Sequence, residues 1–170
     1  MTRLKNNPQL LYPTTMDNFE KYYQMALRYL SFRFRSEKEI KDYLIKKKAN
    51  ELLIAKVIDV LKEQKLLDDL TFAKAWYQSR TKYKIRSTKI IQLELKQKGI
   101  NSEIIDKVTK NDNEEYVSEE EMATELVKEK LRIYNNLLPS KRYEKLIGLL
   151  KRRGFNWSII SEVLKPYKPS

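Results

Sequence analysis

Leu95-Lys96-Gln97-Lys98-Gly99-Ile100-Asn101-Ser102-Glu103-Ile104-Ile105-Asp106-Lys107-Val108 contains the end of one helix, a turn and the start of the next. Leu95 falls in the last turn of the first helix, and Gly99 ends that helix in the left-handed region without a Cβ penalty. Asn101 offers a side-chain oxygen to the free amides of the second helix. Ile105 and Val108, three apart, lie on one face of it. The same residue types recur at the same offsets twice more. About Gly154 they are Leu150, Asn156, Ile160 and Val163, and about Lys48 they are Leu44, Asn50, Ile54 and Val57. An internal repeat with origins at 48, 99 and 154 follows.

Each copy is preceded by a helix carrying a small residue, Ala26, Ala73 or Ala123. The pattern predicts an all-α protein of three tandem three-helix repeats, nine helices in an elongated, gently curved array. The repeats are placed at 16–66, 69–110 and 118–167. Residues 1–15 are expected to be a mobile N-terminal tail. Residues 111–121, with six acids and no base, are expected to be an acidic linker that runs into a helix start. Ser36-Glu37-Lys38-Glu39 and Ser118-Glu119-Glu120-Glu121 read as capping boxes. Three Gly, five Pro and no Asn-Gly or Asp-Gly pair leave little turn chemistry for hairpins.

Composition removes most catalytic chemistry. The 170 residues include no Cys and no His, so disulfides, Cys/His zinc sites and thiol or imidazole catalysis are excluded. The glycines are too scattered for a phosphate loop. No cofactor is expected, although a carboxylate-only Mg²⁺ or Ca²⁺ site remains formally open. No apolar run approaches the roughly 20 residues of a membrane span, and the N-terminus lacks a signal-peptide pattern. A cytoplasmic monomer is therefore expected. The net charge of +12 points to a polyanionic partner, against the plainer reading of a solvated basic surface. Residues 1–60 carry net +5, residues 61–110 net +6 and residues 111–170 net +1. Without residues 111–121 the last block is as basic as the others.

Three cationic clusters are candidate contacts for phosphate or for an acidic protein face. Arg33 and Arg35 flank Phe34 before a capped helix, with Glu37 and Asp42 as potential internal ion-pair partners. Arg80, Lys82, Lys84 and Arg86 alternate with Thr81, Tyr83 and Ile85 across the expected loop of the second repeat. Lys151, Arg152 and Arg153 end a helix, where the helix dipole also favours cations. Tyr83 is the candidate for an exposed base-stacking residue. Tyr22, Tyr29, Phe72, Trp76 and Phe155 read as core, and Trp157 as packing at the start of the last helix. Asp68-Asp69 reads as a helix cap rather than a pair of acid/base carboxylates.

Four segments carry a resemblance to the RecX family of regulators of the RecA recombinase. Leu30-Ser31-Phe32-Arg33-Phe34-Arg35-Ser36-Glu37-Lys38-Glu39-Ile40 is similar to its LSxRxRSxxEL opening. Leu67-Asp68-Asp69-Leu70-Thr71-Phe72-Ala73 resembles its LDDxxFA junction, Leu95 to Ile100 its LxxKGI, and Arg152-Arg153-Gly154-Phe155 its RRGF. Two positions depart from the pattern. Lys65 stands where the family has Gly before LDD, and Lys48 where the repeat has Gly. A left-handed Lys costs about 1 kcal/mol, so these caps either carry that strain or are rebuilt. The resemblance implies a non-catalytic protein that binds the RecA filament on single-stranded DNA and damps strand exchange, ATP hydrolysis and co-protease activity. It would act by blocking filament extension or by favouring disassembly. The competing reading is a stand-alone helical-repeat DNA-binding protein acting without RecA, on single-stranded and also duplex DNA. A carboxylate-metal nuclease using Asp68 and Asp69 is a third.

Overall fold

The structure is a computed structural model that describes residues 15–110 and 117–169, with side chains from residue 18. The expected tail, up to residue 14, and residues 111–116 of the expected linker lie outside the described residues. Among the described residues there are nine α-helices and no strand. They are α1 (Thr15–Leu30), α2 (Glu37–Lys46), α3 (Glu51–Glu63), α4 (Asp69–Gln78), α5 (Thr88–Gln97), α6 (Ser102–Thr109), α7 (Glu119–Ile133), α8 (Pro139–Arg152) and α9 (Trp157–Leu164). A π-helical turn, Ser79–Tyr83, extends α4, and a 3₁₀ turn, Lys165–Tyr167, follows α9. The all-α, tandem three-helix architecture read from the repeat is the observed one. The helices fall into two compact units, Met1–Leu67 and Asp68–Ser170.

The repeat positions behave as their residue types predict. Asn50, Asn101 and Asn156 each cap a third helix, their side chains accepting from the amides of Leu53, Glu103 and Ile159. Leu44, Leu95 and Leu150 are fully buried, as are Ala26, Ala73 and Ala123. Ile54, Ile105 and Ile160 are buried beside them, and Val57 and Val108 likewise, whereas Val163 is half-buried. Each corner between a second and a third helix closes with the same hydrogen bond, from the residue after the left-handed one back to that Leu carbonyl. The pairs are Ala49 to Leu44 (3.1 Å), Ile100 to Leu95 (3.1 Å) and Phe155 to Leu150 (3.2 Å).

The caps at the two departures are not rebuilt. Lys48 and Lys65 hold φ of 64° and 57°, beside 81° for Gly99 and 89° for Gly154. Both lysines are exposed, so their side chains leave into solvent and only the backbone strain remains. Gly154 cannot be replaced so easily. A Cβ there would overlap Ile90 and come within 2.7 Å of the Ser87 hydroxyl.

That close approach marks where the second and third repeats join within one unit. The Ser87 amide donates to the Arg153 carbonyl (3.0 Å), closing the C-terminus of α8. Ile85, from the segment before α5, is buried in the core of α7, α8 and α9. The Glu119 carboxylate accepts from the Thr88 amide at the first turn of α5 (2.8 Å). The fully buried Tyr77 accepts from the Val117 amide through its hydroxyl oxygen (3.2 Å). Each bond satisfies a helix-end or chain-entry group that would otherwise need water.

Candidate nucleic-acid and partner interface

The three cationic clusters prove to be of mixed character. In the first unit, Arg33 makes a two-pronged ion pair with Glu39, at 2.7 and 3.1 Å, and also donates to the Phe34 carbonyl. The hydrogen bond to Glu39 raises the Arg33 pKa further above its ordinary value, against a smaller opposing effect of desolvation. Arg35 lies 3.8 Å from the centroid of Tyr29, which in turn stacks on Tyr43. The expected partners Glu37 and Asp42 are instead engaged by Lys62 and Lys38, respectively. Glu39 wins because it is the return arm of the Ser36 capping box and is already held at the helix start. Phe32 and Phe34 beside these arginines are 74% and 62% exposed.

In the second unit, Arg80, Lys82 and Tyr83 do not lie in a loop. They belong to the π turn that prolongs α4, closed by the Lys84 amide bonding back to the Ser79 carbonyl (2.9 Å). The Thr81 hydroxyl donates to the Tyr77 carbonyl (3.1 Å), and such competition with the helical ladder favours a local widening. The turn sorts the basic residues by side. Arg80 turns inward to Glu94 (2.6 Å) and lies over Trp76, whose indole N–H donates to the same carboxylate (2.8 Å). Lys82, Tyr83 and Lys84 turn outward. Tyr83 is 82% exposed, and no ion pair among the described residues engages Lys82 or Lys84.

Arg86 and Arg153 are brought together at the repeat junction. Arg86 donates to the Arg152 carbonyl (3.3 Å) and Arg153 to the Ile85 carbonyl (3.3 Å). Desolvation lowers the Arg153 pKa, the charges of Arg86 and Arg152 add to this, and Glu129 opposes it. Lys151 and Arg152 stay exposed, with Lys151 5.4 Å from the centroid of Trp157. Trp157, expected to pack at the start of the last helix, stands largely in solvent there. It is 57% exposed in the first turn of α9, at the open end of the face that carries Ile160 and Leu164 further along the helix. The sequence reading thus missed Trp157 as a surface aromatic, although its neighbour Lys151 was a visible signal.

Asp68 has the geometry of a helix cap. Its carboxylate accepts from the amides of Leu70 and Thr71 and from the Thr71 hydroxyl (2.6 Å). The Thr71 hydroxyl bond, then those two amides and the nearby Lys74 charge, hold its pKa below the ordinary carboxylate value against a modest desolvation effect. No group of His, Cys, Asp or Glu suited to a metal ion occurs among the described residues, and no described helix is long and apolar enough to cross a membrane.

Fold and surface together define a tandem three-helix-repeat protein whose candidate contacts are clusters of exposed cations and aromatics rather than a pocket. Comparison with known proteins gives that class a family. The chain matches three domains in order: the RecX first three-helix domain over residues 23–61, the second over 68–108 and the third over 118–164. It belongs to the RecX family. It is 35% identical over 150 residues to the regulatory protein RecX of Oceanobacillus iheyensis, covering 88% of this chain and 54% of that one. To the regulatory protein RecX of Bacillus subtilis it is 33% identical over 151 residues, covering 87% and 55%. The chain spans about half the length of these curated relatives. Its fold is similar to the crystal structure of RecX from Lactobacillus salivarius, with a TM-score of 0.68 at 24% identity over 89% of this chain and 97% of that one. A second crystal structure, of a regulatory protein RecX, gives 0.70 at 27% identity over 96% and 80%.

Proposed function

We propose that the chain is a regulatory protein that binds the RecA recombinase filament on single-stranded DNA and inhibits its recombinase, ATPase and co-protease activities. The observation that carries this reading is the ordered match of all three repeats to the three RecX domains. Stacked small repeats suit an extended partner, because each adds a few contacts along a line. Lys82, Tyr83, Lys84, Lys151 and Arg152 are the residues we assign to phosphate, base or filament contact. Arg80, Arg86 and Arg153 brace that surface through the bonds described above, while Arg33 and Arg35 are engaged within the first unit by Glu39 and Tyr29. The protein works as a cytoplasmic monomer and needs no cofactor.

The test is strand exchange and ATP hydrolysis by preformed RecA filaments with substoichiometric protein. The expected result is inhibition at concentrations too low to coat bare DNA. Inhibition that begins only when the DNA is saturated would favour the stand-alone DNA-binding reading, whose support is the exposed Lys82-Tyr83-Lys84 tip.

A further inference from the structure

The corner between α2 and α3 departs from its two copies at several positions at once. In the second and third repeats the residue after the left-handed one is Ile100 or Phe155, each 5% exposed and filling the corner. The first repeat has Ala49 there, too small to fill it. An open groove results, with Ile54 and Ile58 at its floor and Ile45 on its wall. Ile45 is 52% exposed and stands where the other repeats carry Lys96 and Lys151. Leu52, on the same corner and 84% exposed, stands where they carry Glu103 and Ser158.

Acidic residues gather at the same place, and at one position the charge is inverted. Glu51 and Asp59 line the groove, and Asp59 occupies the register of Lys110 and Lys165. Glu37 also lines it, paired with Lys62 at 2.9 Å, while Lys41 is the cation of the lining. A chain of net charge +12 therefore sets carboxylates around an exposed aliphatic groove. A solvated surface has no need of aliphatics where two sister repeats keep polar groups, and such patches mark interaction sites. A groove between two helices with an apolar floor fits the apolar stripe of a third helix, and an acidic rim selects cationic flanks.

We propose that the α2–α3 groove of the first repeat is a docking site for a basic amphipathic helix of a partner protein. This groove shares no residue with the cationic contacts assigned above. It does not depend on the filament reading, and its test contains no filament.

The experiment uses the full chain and two fluorescent helical peptides of about 18 residues, long enough to sustain a helix. Both carry Leu at i, i+3, i+4 and i+7; one has Lys/Arg flanks and the other Glu flanks. The expected result is that the basic peptide binds at least about tenfold more tightly than the acidic one, despite the net charge of the chain. Ala49→Phe, which imports the closure of the third repeat, weakens it by at least about tenfold, as expected for a filled pocket. Asp59→Lys, a surface change that cannot disturb the core, weakens it by about fivefold or more. Equal binding of the two peptides, or binding unmoved by Asp59→Lys, overturns the proposal. So does tighter peptide binding by the Leu10→Asp/Leu11→Asp chain, which would make the protein's own N-terminal residues the occupant. Self-association that Ala49→Phe abolishes in sedimentation velocity would make a second copy the occupant, and overturns the proposal as well.

Discussion

Lys48 and Lys65 are the residues at which backbone strain is most visible, because each holds a left-handed φ with its side chain in solvent. Replacing either by Gly removes the strain and touches no contact, although Gly loosens the unfolded chain. Lys48→Gly and Lys65→Gly should each stabilise the protein by about 0.5–1 kcal/mol in urea denaturation. No gain in either would mean that the neighbouring bonds, and not the φ, set the stability of the corner. Asp68 gives the opposite case, a side chain whose hydrogen bonds hold a helix start. Asp68→Ala should cost about 1 kcal/mol at neutral pH. The Asp68 pKa is lowered in the folded state, so its contribution is complete above the unfolded value of about 3.9 and is lost as pH falls through the depressed one. The gap between parent and Asp68→Ala should therefore narrow below about pH 4. A gap that widens in acid would contradict the carboxylate as the capping acceptor.

At the scale of elements, the helix ends were legible and their docking was not. Asn50, Asn101, Asn156, Ser36 and Ser118 could be read as caps because capping is local, decided within three residues of the cap. The π turn at Ser79–Tyr83 escaped, since Arg80 to Arg86 shows the same cations whether it is a loop or a widened helix. What turns Arg80 inward is Glu94, fourteen residues away. The second role of Gly154 escaped for the same reason. Its offset reveals the left-handed turn, but nothing near it in sequence reveals Ser87 and Ile90 against its Cα. Gly154→Ala and Gly99→Ala share the left-handed strain of about 1–2 kcal/mol. Gly154→Ala must in addition push α5 off the end of α8, adding about 1–3 kcal/mol as overpacking does. It should also release the Ser87 amide to hydrogen exchange, because that amide donates to Arg153. Equal destabilisation by the two changes, with Ser87 still protected, would show that the junction adapts freely.

For the whole molecule, the net charge of +12 is less uniform than the count implies. Much of the arginine is committed to holding the fold: Arg33 to Glu39, Arg80 to Glu94, and Arg86 and Arg153 to carbonyls at the junction. Lysines remain outward, above all Lys82 and Lys84 on either side of Tyr83. The division follows from chemistry, since a planar guanidinium can be held by two bonds at once whereas an ammonium is a strongly hydrated point charge. Binding to polyanion and stability of the fold should therefore separate by residue type. Lys82→Ala/Lys84→Ala should weaken binding to a single-stranded oligonucleotide and leave the melting temperature within about 1 °C, as for surface changes generally. If both lysines contact phosphate, the slope of log K against log salt should flatten by about 0.7 for each. Tyr83→Ala should weaken binding without changing that slope, because stacking releases no counterion. Arg86→Ala should do the reverse of the lysine pair, lowering the melting temperature through the lost bond to the end of α8. An unchanged slope in the double lysine variant would place the polyanion elsewhere on the chain and leave Lys82 and Lys84 as solvating charge alone.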